Sequence, residues 1–180
     1  MRLFVGIALP SDIKMTLVTL CSGLSGTRWV KPESMHVTLR FIGEVDRGAA
    51  HDLDSALSDV RVPAFEMRFS GIGNFSKKER LRALWAGVES NPALTLLQSK
   101  IEKAVQRAGF APEGRKFTPH VTLARFKGQR VDLGHYLEAN GAFSSGPFPV
   151  EAFTLFESRM GHGGSHYEAL SEYPLPDLSA

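Results

Sequence analysis

Thr118-Pro119-His120-Val121-Thr122-Leu123 is the stretch that decides the fold, because its last four residues repeat the earlier segment His36-Val37-Thr38-Leu39. In an extended strand, successive side chains point to opposite faces, so residues two apart share a face. Each copy is therefore predicted to be a strand with one apolar face, for a core, and one face that carries an imidazole and a hydroxyl. Two such polar faces predict one shared site.

The composition is that of an ordinary globular protein and predicts a single domain over residues 1–180, built as two closely packed lobes. Of the 180 residues, 43% are hydrophobic and 22% are charged, and the net charge is +2. A net charge this small does not predict nucleic-acid binding through the overall charge of the protein. Any contact with RNA must therefore depend on a local group of charges. Cys21 is the only cysteine, which excludes an internal disulfide and a multi-cysteine metal site and fits a reducing cytoplasm.

The amino-terminal segment, residues 1–9, is apolar but too short to span a membrane, and it has no small-residue cleavage site. We therefore expect a cytoplasmic protein without a membrane contact.

The rest of the chain reads as short strands separated by amphipathic helices. Predicted strands are Arg2–Ala8, Phe65–Ser70, Leu81–Val88, Phe148–Phe156 and His166–Leu170. Predicted helices are Ile13–Leu20, capped by Ser11 or Asp12, then Asp46–Val60, Leu94–Ala108 and Asp132–Ala139. Strands outnumber helices and several neighbours could pair as hairpins, which favours an α+β fold of mainly antiparallel strands with flanking helices over a doubly wound sheet.

The repeated motif carries the residue types that acid–base chemistry on a phosphate needs. Histidine titrates near neutral pH, so one of His36 and His120 can accept a proton while the other donates one. Thr38 and Thr122 place a hydroxyl on the same face for an anionic oxygen, and Arg125 can bind phosphate through its guanidinium. These parts predict phosphoryl transfer without a metal.

The six histidines also allow other interpretations. A single histidine in a strand is usually structural, but the recurrence of both residue types at the same strand phase favours a pair that works together. His51 and His135 lie on predicted amphipathic helices and are expected to face solvent. His162 and His166 flank a glycine-rich segment that predicts a tight turn. A zinc site from the motif pair lacks acidic or cysteine ligands at the usual spacings.

At these motifs the sequence resembles the 2H phosphoesterase superfamily, specifically the RNA 2′,3′-cyclic phosphodiesterases, also called 2′-5′ RNA ligases. That family is marked by two His-x-Thr-hydrophobic motifs. The likeness extends in family order to further segments: Arg2–Val5, Met35–Val45, Ala83–Gly87, Phe117–His120 and Tyr167–Leu170. The segment Arg159–Ser165 looks individual to this chain.

The resemblance implies two pseudo-symmetric lobes around a central cleft, each lobe contributing one motif. It implies hydrolysis of RNA 2′,3′-cyclic phosphate ends to 2′-phosphate ends without a metal or other cofactor, with weak reverse 2′-5′ ligation. Motif by motif, His36 and His120 would be the catalytic pair, with His36 as acid to the leaving 3′-oxygen and His120 as base for water. Thr38 and Thr122 would contact phosphate oxygens, and Arg125 would contact the phosphate.

Two rival functions stay open from sequence. One is a cyclic phosphodiesterase for small molecules, such as cyclic nucleotides or ADP-ribose cyclic phosphate. The other is a catalytically idle module that binds RNA or nucleotides. The presence of both histidines in intact motifs argues against this second rival. The expected partner is an RNA that ends in a 2′,3′-cyclic phosphate, for example one derived from tRNA, and the expected state is a monomer.

Overall fold

The computed structural model describes residues 1–177, and within them the chain forms nine strands and four α-helices. The strands are β1 Arg2–Ala8, β2 His36–Glu44, β3 Phe65–Met67, β4 Phe69–Lys77, β5 Arg80–Val88, β6 His120–Arg125, β7 Phe148–Val150, β8 Ala152–Gly161 and β9 Gly164–Pro174. The helices are α1 Ser11–Val18, α2 Arg47–Leu57, α3 Pro92–Arg107 and α4 Gly134–Asn140. In this part of the chain, no helix is both long and apolar enough to cross a membrane.

Seven strands form one antiparallel sheet in the order β4-β5-β6-β2-β1-β8-β9, and β3 pairs with β7 in a separate two-stranded sheet. The predicted α+β fold of mainly antiparallel strands is confirmed. The two motif strands, β2 and β6, are neighbours at the centre, where Val37 lies opposite Val121. The motifs therefore meet although they are far apart in the chain.

The apolar faces of the motif strands are buried, as the strand phase predicts. Val37, Val121 and Leu123 are fully buried, and Leu39 is nearly so. Helix α3 packs against β2, α2 packs against α3, and both helices contribute to the same core cluster. Burial of each such side chain contributes about 1.5–3 kcal/mol, so the core fixes which face of β2 and β6 remains for the site.

The two long helices each begin directly after a capping residue, at Arg47 and at Pro92, close to the predicted starts at Asp46 and Leu94. Asp46 accepts a hydrogen bond from the Ala49 N–H at 2.8 Å, and Asn91 accepts one from the Leu94 N–H at 3.1 Å. These side chains satisfy backbone donors that the first helical turn leaves free. Helix α1 differs from the prediction, because it begins at Ser11 itself and no side chain caps it.

Two strands predicted to be continuous are each broken in two. The predicted strand over residues 65–70 is interrupted at Arg68 between β3 and β4, and that over 148–156 is interrupted at Glu151 between β7 and β8. Because β3 and β7 pair with each other, both segments pass from the small sheet into the large one at a bend. Nothing in the alternating pattern distinguishes such a bend from a straight strand.

The carboxyl-terminal strands complete the lobe of the first motif. β8 pairs with β1 and with β9, and β9 runs far beyond the predicted strand over residues 166–170. The lobe around β2 is thus built from both ends of the chain, whereas β4 and β5 flank β6 on the other side.

Candidate active site

The polar faces of β2 and β6 line one cavity of about 1090 Å³. The register that sets Val37 opposite Val121 brings the residues flanking these valines side by side on the other face of the sheet. His36, Thr38, His120, Thr122 and Arg125 all lie in this cavity. The five residues predicted for the site are therefore together, and their roles stay predictions.

His36 is fixed through both of its ring nitrogens. Its Nδ1–H donates to the Ser34 carbonyl oxygen at 2.8 Å, and its Nε2 lies 2.9 Å from the Thr38 hydroxyl. A short 3₁₀ turn, Pro32–Ser34, presents that carbonyl. Since a carbonyl can only accept, the neutral imidazole carries its proton on Nδ1, and its Nε2 accepts from Thr38.

On the opposite lobe, His120 is held through its Nδ1. Its Nδ1–H donates to the Thr118 carbonyl oxygen at 2.6 Å. Pro119 favours an extended conformation of Thr118, which places this carbonyl two residues before the ring. In both lobes the neutral imidazole thus has Nε2 unprotonated, as a proton acceptor must.

Aromatic rings enclose His36. The Phe4 ring centroid lies 4.7 Å from the imidazole centroid, and Tyr167 makes an edge contact at 5.0 Å. Tyr167 comes from β9, where the register pairs it with Ser158 of β8. Its place beside the first motif could not be predicted without the pairing of the terminal strands.

Aromatic rings also enclose His120. Phe75 contacts the imidazole edge-on at 5.1 Å, and Trp85 lies 5.4 Å away, centroid to centroid. The Trp85 indole lies over Gly73 on the neighbouring strand, where any Cβ would overlap the ring. Gly73 is therefore required for the present position of Trp85.

Burial lowers the pKa of both motif histidines because it disfavours the charged imidazolium. For His36 the lowered pKa is about 4, since burial and the charges of Arg125, His120 and Lys14 outweigh the hydrogen bond to Ser34. The pKa of His120 is lowered by burial and by Arg125, against the opposing hydrogen bond to Thr118. Without bound substrate, both rings are therefore mainly neutral at pH 7.

The cavity concentrates positive charge that the composition does not reveal. Seven cationic side chains line it: Arg28, Lys31, Arg40, Arg115, Lys116, Arg125 and Lys127. Glu113 is the one carboxylate among the described residues that line it, and it pairs with Arg115 at 3.2 Å. The cleft is thus a local attractor for anions in a chain whose net charge is only +2.

A buried ion pair holds one wall of the cavity. Arg40 Nε lies 2.6 Å from a carboxylate oxygen of Glu102 on α3, and Arg40 also donates to the Ala111 carbonyl. Glu102 in turn accepts from the Glu113 backbone N–H at 3.0 Å. These bonds tie the segment that carries Arg115 and the following cleft residues to α3 and β2.

The remaining histidines lie outside the site or at its rim. His51 and His135 are solvent-exposed, as predicted. The glycine-rich segment forms the β8–β9 turn, and Gly163 and Gly164 have positive φ angles that suit a tight turn. Across residues 1–177, no three His, Cys, Asp or Glu side chains are grouped so as to hold a metal ion.

The chain is similar to known proteins in both sequence and fold. A family model described as LigT like Phosphoesterase matches residues 7–85 and 87–167, so that each matched segment contains one motif. The chain belongs to the LigT-like phosphoesterase family. It is therefore a phosphoesterase, and the predictions of this superfamily and of a hydrolase are confirmed.

Relatives in the LigT-like family share one name. An RNA 2′,3′-cyclic phosphodiesterase of Aeropyrum pernix is 35% identical over 146 residues, which cover 79% of this chain and 83% of the relative. Another, of Archaeoglobus fulgidus, is 30% identical over 173 residues, covering 94% and 98%. The crystal structure of E. coli LigT complexed with 3′-AMP has a TM-score of 0.82 and 26% identity, with 98% of each chain covered.

Three features of the site have no signal in the motifs themselves. The carbonyls of Ser34 and Thr118 are backbone atoms, which any residue would supply. Phe75 and Tyr167 reach the cleft from strands whose pairing is set by the whole sheet. The basic lining is assembled from segments that are each unremarkable in charge.

Proposed function

We propose that this chain hydrolyses the 2′,3′-cyclic phosphate at the end of an RNA to a 2′-phosphate, without a metal, by general acid–base catalysis with His36 and His120. The relatives named above carry the name of this activity. The observation that carries the proposal is the matched fixation of two imidazoles, each by Nδ1 on a backbone carbonyl two residues earlier, within one cavity.

The proposed reaction uses the Nε2 atoms of both histidines. Nε2 of His120 accepts a proton from a water molecule as the water oxygen attacks phosphorus. The bond between phosphorus and the 3′-oxygen breaks, and protonated His36 donates its Nε2 proton to that oxygen. Two protons are thus moved, and a transfer from His120 back to His36 through solvent restores the starting state.

The assignment of His36 as acid depends on the bound substrate. Its pKa of about 4 leaves it neutral at pH 7 in the free protein. The negative charge of a cyclic phosphate favours the imidazolium and raises this pKa. We therefore expect substrate binding and protonation of the acid to be coupled.

Arg125, Thr38 and Thr122 would hold the phosphate oxygens. The charge of Arg125 influences the pKa of both histidines, which puts the guanidinium within electrostatic reach of each. A guanidinium can bind two phosphate oxygens at once, and the hydroxyls add directional contacts. Charge that develops on these oxygens during attack would be stabilised without a metal ion.

The charged lining favours an RNA end over a free cyclic mononucleotide. Several cations of the cleft, among them Arg28, Lys31 and Lys127, have no carboxylate partner within the part of the chain that the structure describes. One cyclic phosphate carries a single negative charge, whereas an RNA end brings further phosphates. Attack by the 5′-hydroxyl of a second RNA in place of water would give weak 2′-5′ ligation through the same two histidines.

The test is turnover of an RNA that ends in a 2′,3′-cyclic phosphate, with the product identified as 2′- or 3′-phosphate. The variants H36A and H120A should each abolish turnover, and EDTA should leave wild-type turnover unchanged. H51A is the matched control, because His51 is exposed on α2 and should keep full activity.

Each other outcome counts against a named part of the proposal. Unchanged turnover in H36A or H120A rules out the two-histidine mechanism, and loss of activity in EDTA favours a metal. Turnover of cyclic mononucleotides without turnover of RNA favours the small-molecule rival. Wild-type protein that binds RNA but turns over neither substrate would be the idle module. We further propose a monomer, since both motifs of the site come from one chain.

A further inference from the structure

A second concentration of positive charge lies away from the cleft, between the end of α2 and the carboxyl-terminal half of α3. A shallow cavity of about 260 Å³ is lined there by Asp59, Val60, Arg61, Lys100, Lys103 and Arg107. Four of these six residues are cationic and one is acidic. This group, Arg61, Lys100, Lys103 and Arg107, is called the α3 basic patch below.

The patch occupies the side of α3 that faces away from the active site. Lys100, Lys103 and Arg107 are spaced three and four apart, which places them on one side of the helix. Gln98 and Glu102 lie roughly 150° around the same helix, given 3.6 residues per turn. Gln98 lines the active-site cavity and Glu102 binds Arg40, so α3 separates the two basic regions.

Within residues 1–177, the four cations of the patch form no ion pair, although Asp59 lines the same cavity. Arg61 donates to the Ser58 and Val60 carbonyls. Arg107 lies in the last turn of α3, where a positive charge interacts favourably with the helix dipole. Lys100 and Lys103 have no such structural role, and like charges at this spacing destabilise a helix.

The exposed surface of α3 connects the patch with the cleft. On the solvent side, between Gln98 and Lys103, the helix presents the uncharged polar residues Thr95, Ser99 and Gln106. A helix with its side chains is about 10–12 Å across, a short distance for a nucleic-acid strand. A strand leaving the cleft in this direction meets no unpaired carboxylate of α3, because Glu102 is held by Arg40.

We propose that the α3 basic patch is a second phosphate-binding surface, which contacts the backbone of a single-stranded RNA whose 3′ end lies in the cleft. The surface contributes affinity without sequence preference, because ammonium and guanidinium groups contact phosphates and not base edges. The proposal rests on the proposed function for the identity of the strand. It predicts that long RNA binds more tightly than a dinucleotide and that the added affinity depends strongly on salt.

The experiment measures the affinity of a fluorescent single-stranded RNA of about 12 nucleotides, a length within the usual site sizes for such strands, by anisotropy. In K100A/K103A the plot of log affinity against log salt should be shallower by about 1.4, because each lost phosphate contact on a single strand removes about 0.7. Between about 50 and 200 mM salt, wild type should therefore lose about sevenfold more affinity than the variant. Turnover of a dinucleotide 2′,3′-cyclic phosphate should be unchanged.

R47A/K78A is the matched control, since it removes the same charge from two exposed positions outside both basic regions. The proposal would be overturned if K100A/K103A and R47A/K78A showed the same salt dependence of RNA binding. It would also be overturned if K100A/K103A lost dinucleotide turnover by the same factor as it lost RNA affinity. If the alanine variant melts at a lower temperature than wild type, K100Q/K103Q replaces it. Binding does not require turnover, so the measurement stands even where wild type fails to hydrolyse a cyclic phosphate.

Discussion

Replacing Glu102 with glutamine should destabilise the protein and loosen one wall of the active site. The carboxylate of Glu102 receives hydrogen bonds from Arg40, from Gln106 and from the Glu113 backbone. The Arg40 side chain is only 7% exposed and that of Glu102 17%. E102Q therefore leaves a buried guanidinium without its counter-charge, which is among the more costly single changes.

The pKa of Glu102 gives an upper limit to the folding stability that E102Q should lose. Burial raises this pKa, but the hydrogen bonds and the charge of Arg40 outweigh burial and lower it from 4.5 to about 2. At 1.36 kcal/mol per pKa unit the shift corresponds to at most about 3.4 kcal/mol of stability. Glutamine keeps part of the hydrogen bonding, and the site is partly solvated, so we expect E102Q to lose about 2 kcal/mol at pH 7.

The pH dependence of this loss follows from the sign of the shift. A carboxylate whose pKa is lower in the folded state stabilises the fold above its unfolded pKa of 4.5, and this contribution disappears as the pH falls towards 2. Urea unfolding at pH 7 and at about pH 3.5 should therefore show the difference between wild type and E102Q shrinking by about 1.4 kcal/mol. In RNA turnover, E102Q should raise KM more than it lowers kcat.

The control is E89Q, because Glu89 pairs with Arg68 at 3.8 Å with both side chains more than a third exposed. Such a surface pair contributes about 0–1 kcal/mol, so E89Q should unfold nearly as wild type does. A difference between wild type and E102Q that is the same at both pH values would refute the electrostatic explanation. A loss no larger than that of E89Q would show that the pair does not stabilise the fold.

Three further outcomes are expected from the cleft. R125A should lower kcat/KM ten- to a hundredfold, the effect of losing a charged hydrogen bond of about 1.5–3 kcal/mol, and R125K should recover part of it. T38V should lower kcat about tenfold, as expected for one hydrogen bond of about 1.4 kcal/mol, because protonation of His36 at Nε2 frees the Thr38 hydroxyl to donate to a phosphate oxygen. The pH optimum of kcat/KM should lie below 6.5, since burial lowers the pKa of both histidines, while that of kcat should be higher because the bound anion favours imidazolium.

Each of these three expectations has an outcome that would contradict it. R125A with the kcat/KM of R130A, a variant of an exposed arginine outside the cleft, would remove Arg125 from phosphate binding. Full activity in T38V would leave the Thr38 contact without a catalytic role. A kcat/KM optimum above pH 7 would mean that burial does not lower the pKa of the two histidines in the free enzyme.

The sequence predicts the centre of the fold better than its edges. The strand phase at His36 and His120 correctly assigns Val37 and Val121 to the core, because alternation along a strand is a local property. The bend at Glu151 and the length of β9 are not local, since both depend on which strand lies alongside. Pairing between β1 and β8 joins the two ends of the chain, and no periodicity in either segment records it.

The site divides in the same way. Its histidines and threonines are predictable because the motif occurs twice in the sequence. The positions of Tyr167 and Phe75 beside the histidines depend on how the assembled sheet pairs their strands. The charge of the cleft depends on loops that the sheet brings together. Net charge could not reveal this, because cations gathered at one place and carboxylates dispersed elsewhere give the same sum.

The fixation of both imidazoles by backbone carbonyls has a consequence for protein engineering. Every residue type has a carbonyl oxygen, so positions 34 and 118 can be randomised in a library without removing the acceptor for Nδ1. Side chains there could then be selected for new contacts with a substrate while the histidine tautomers are preserved. The motif pair thus allows adaptation next to the reacting groups, as long as the backbone conformation that presents each carbonyl is kept.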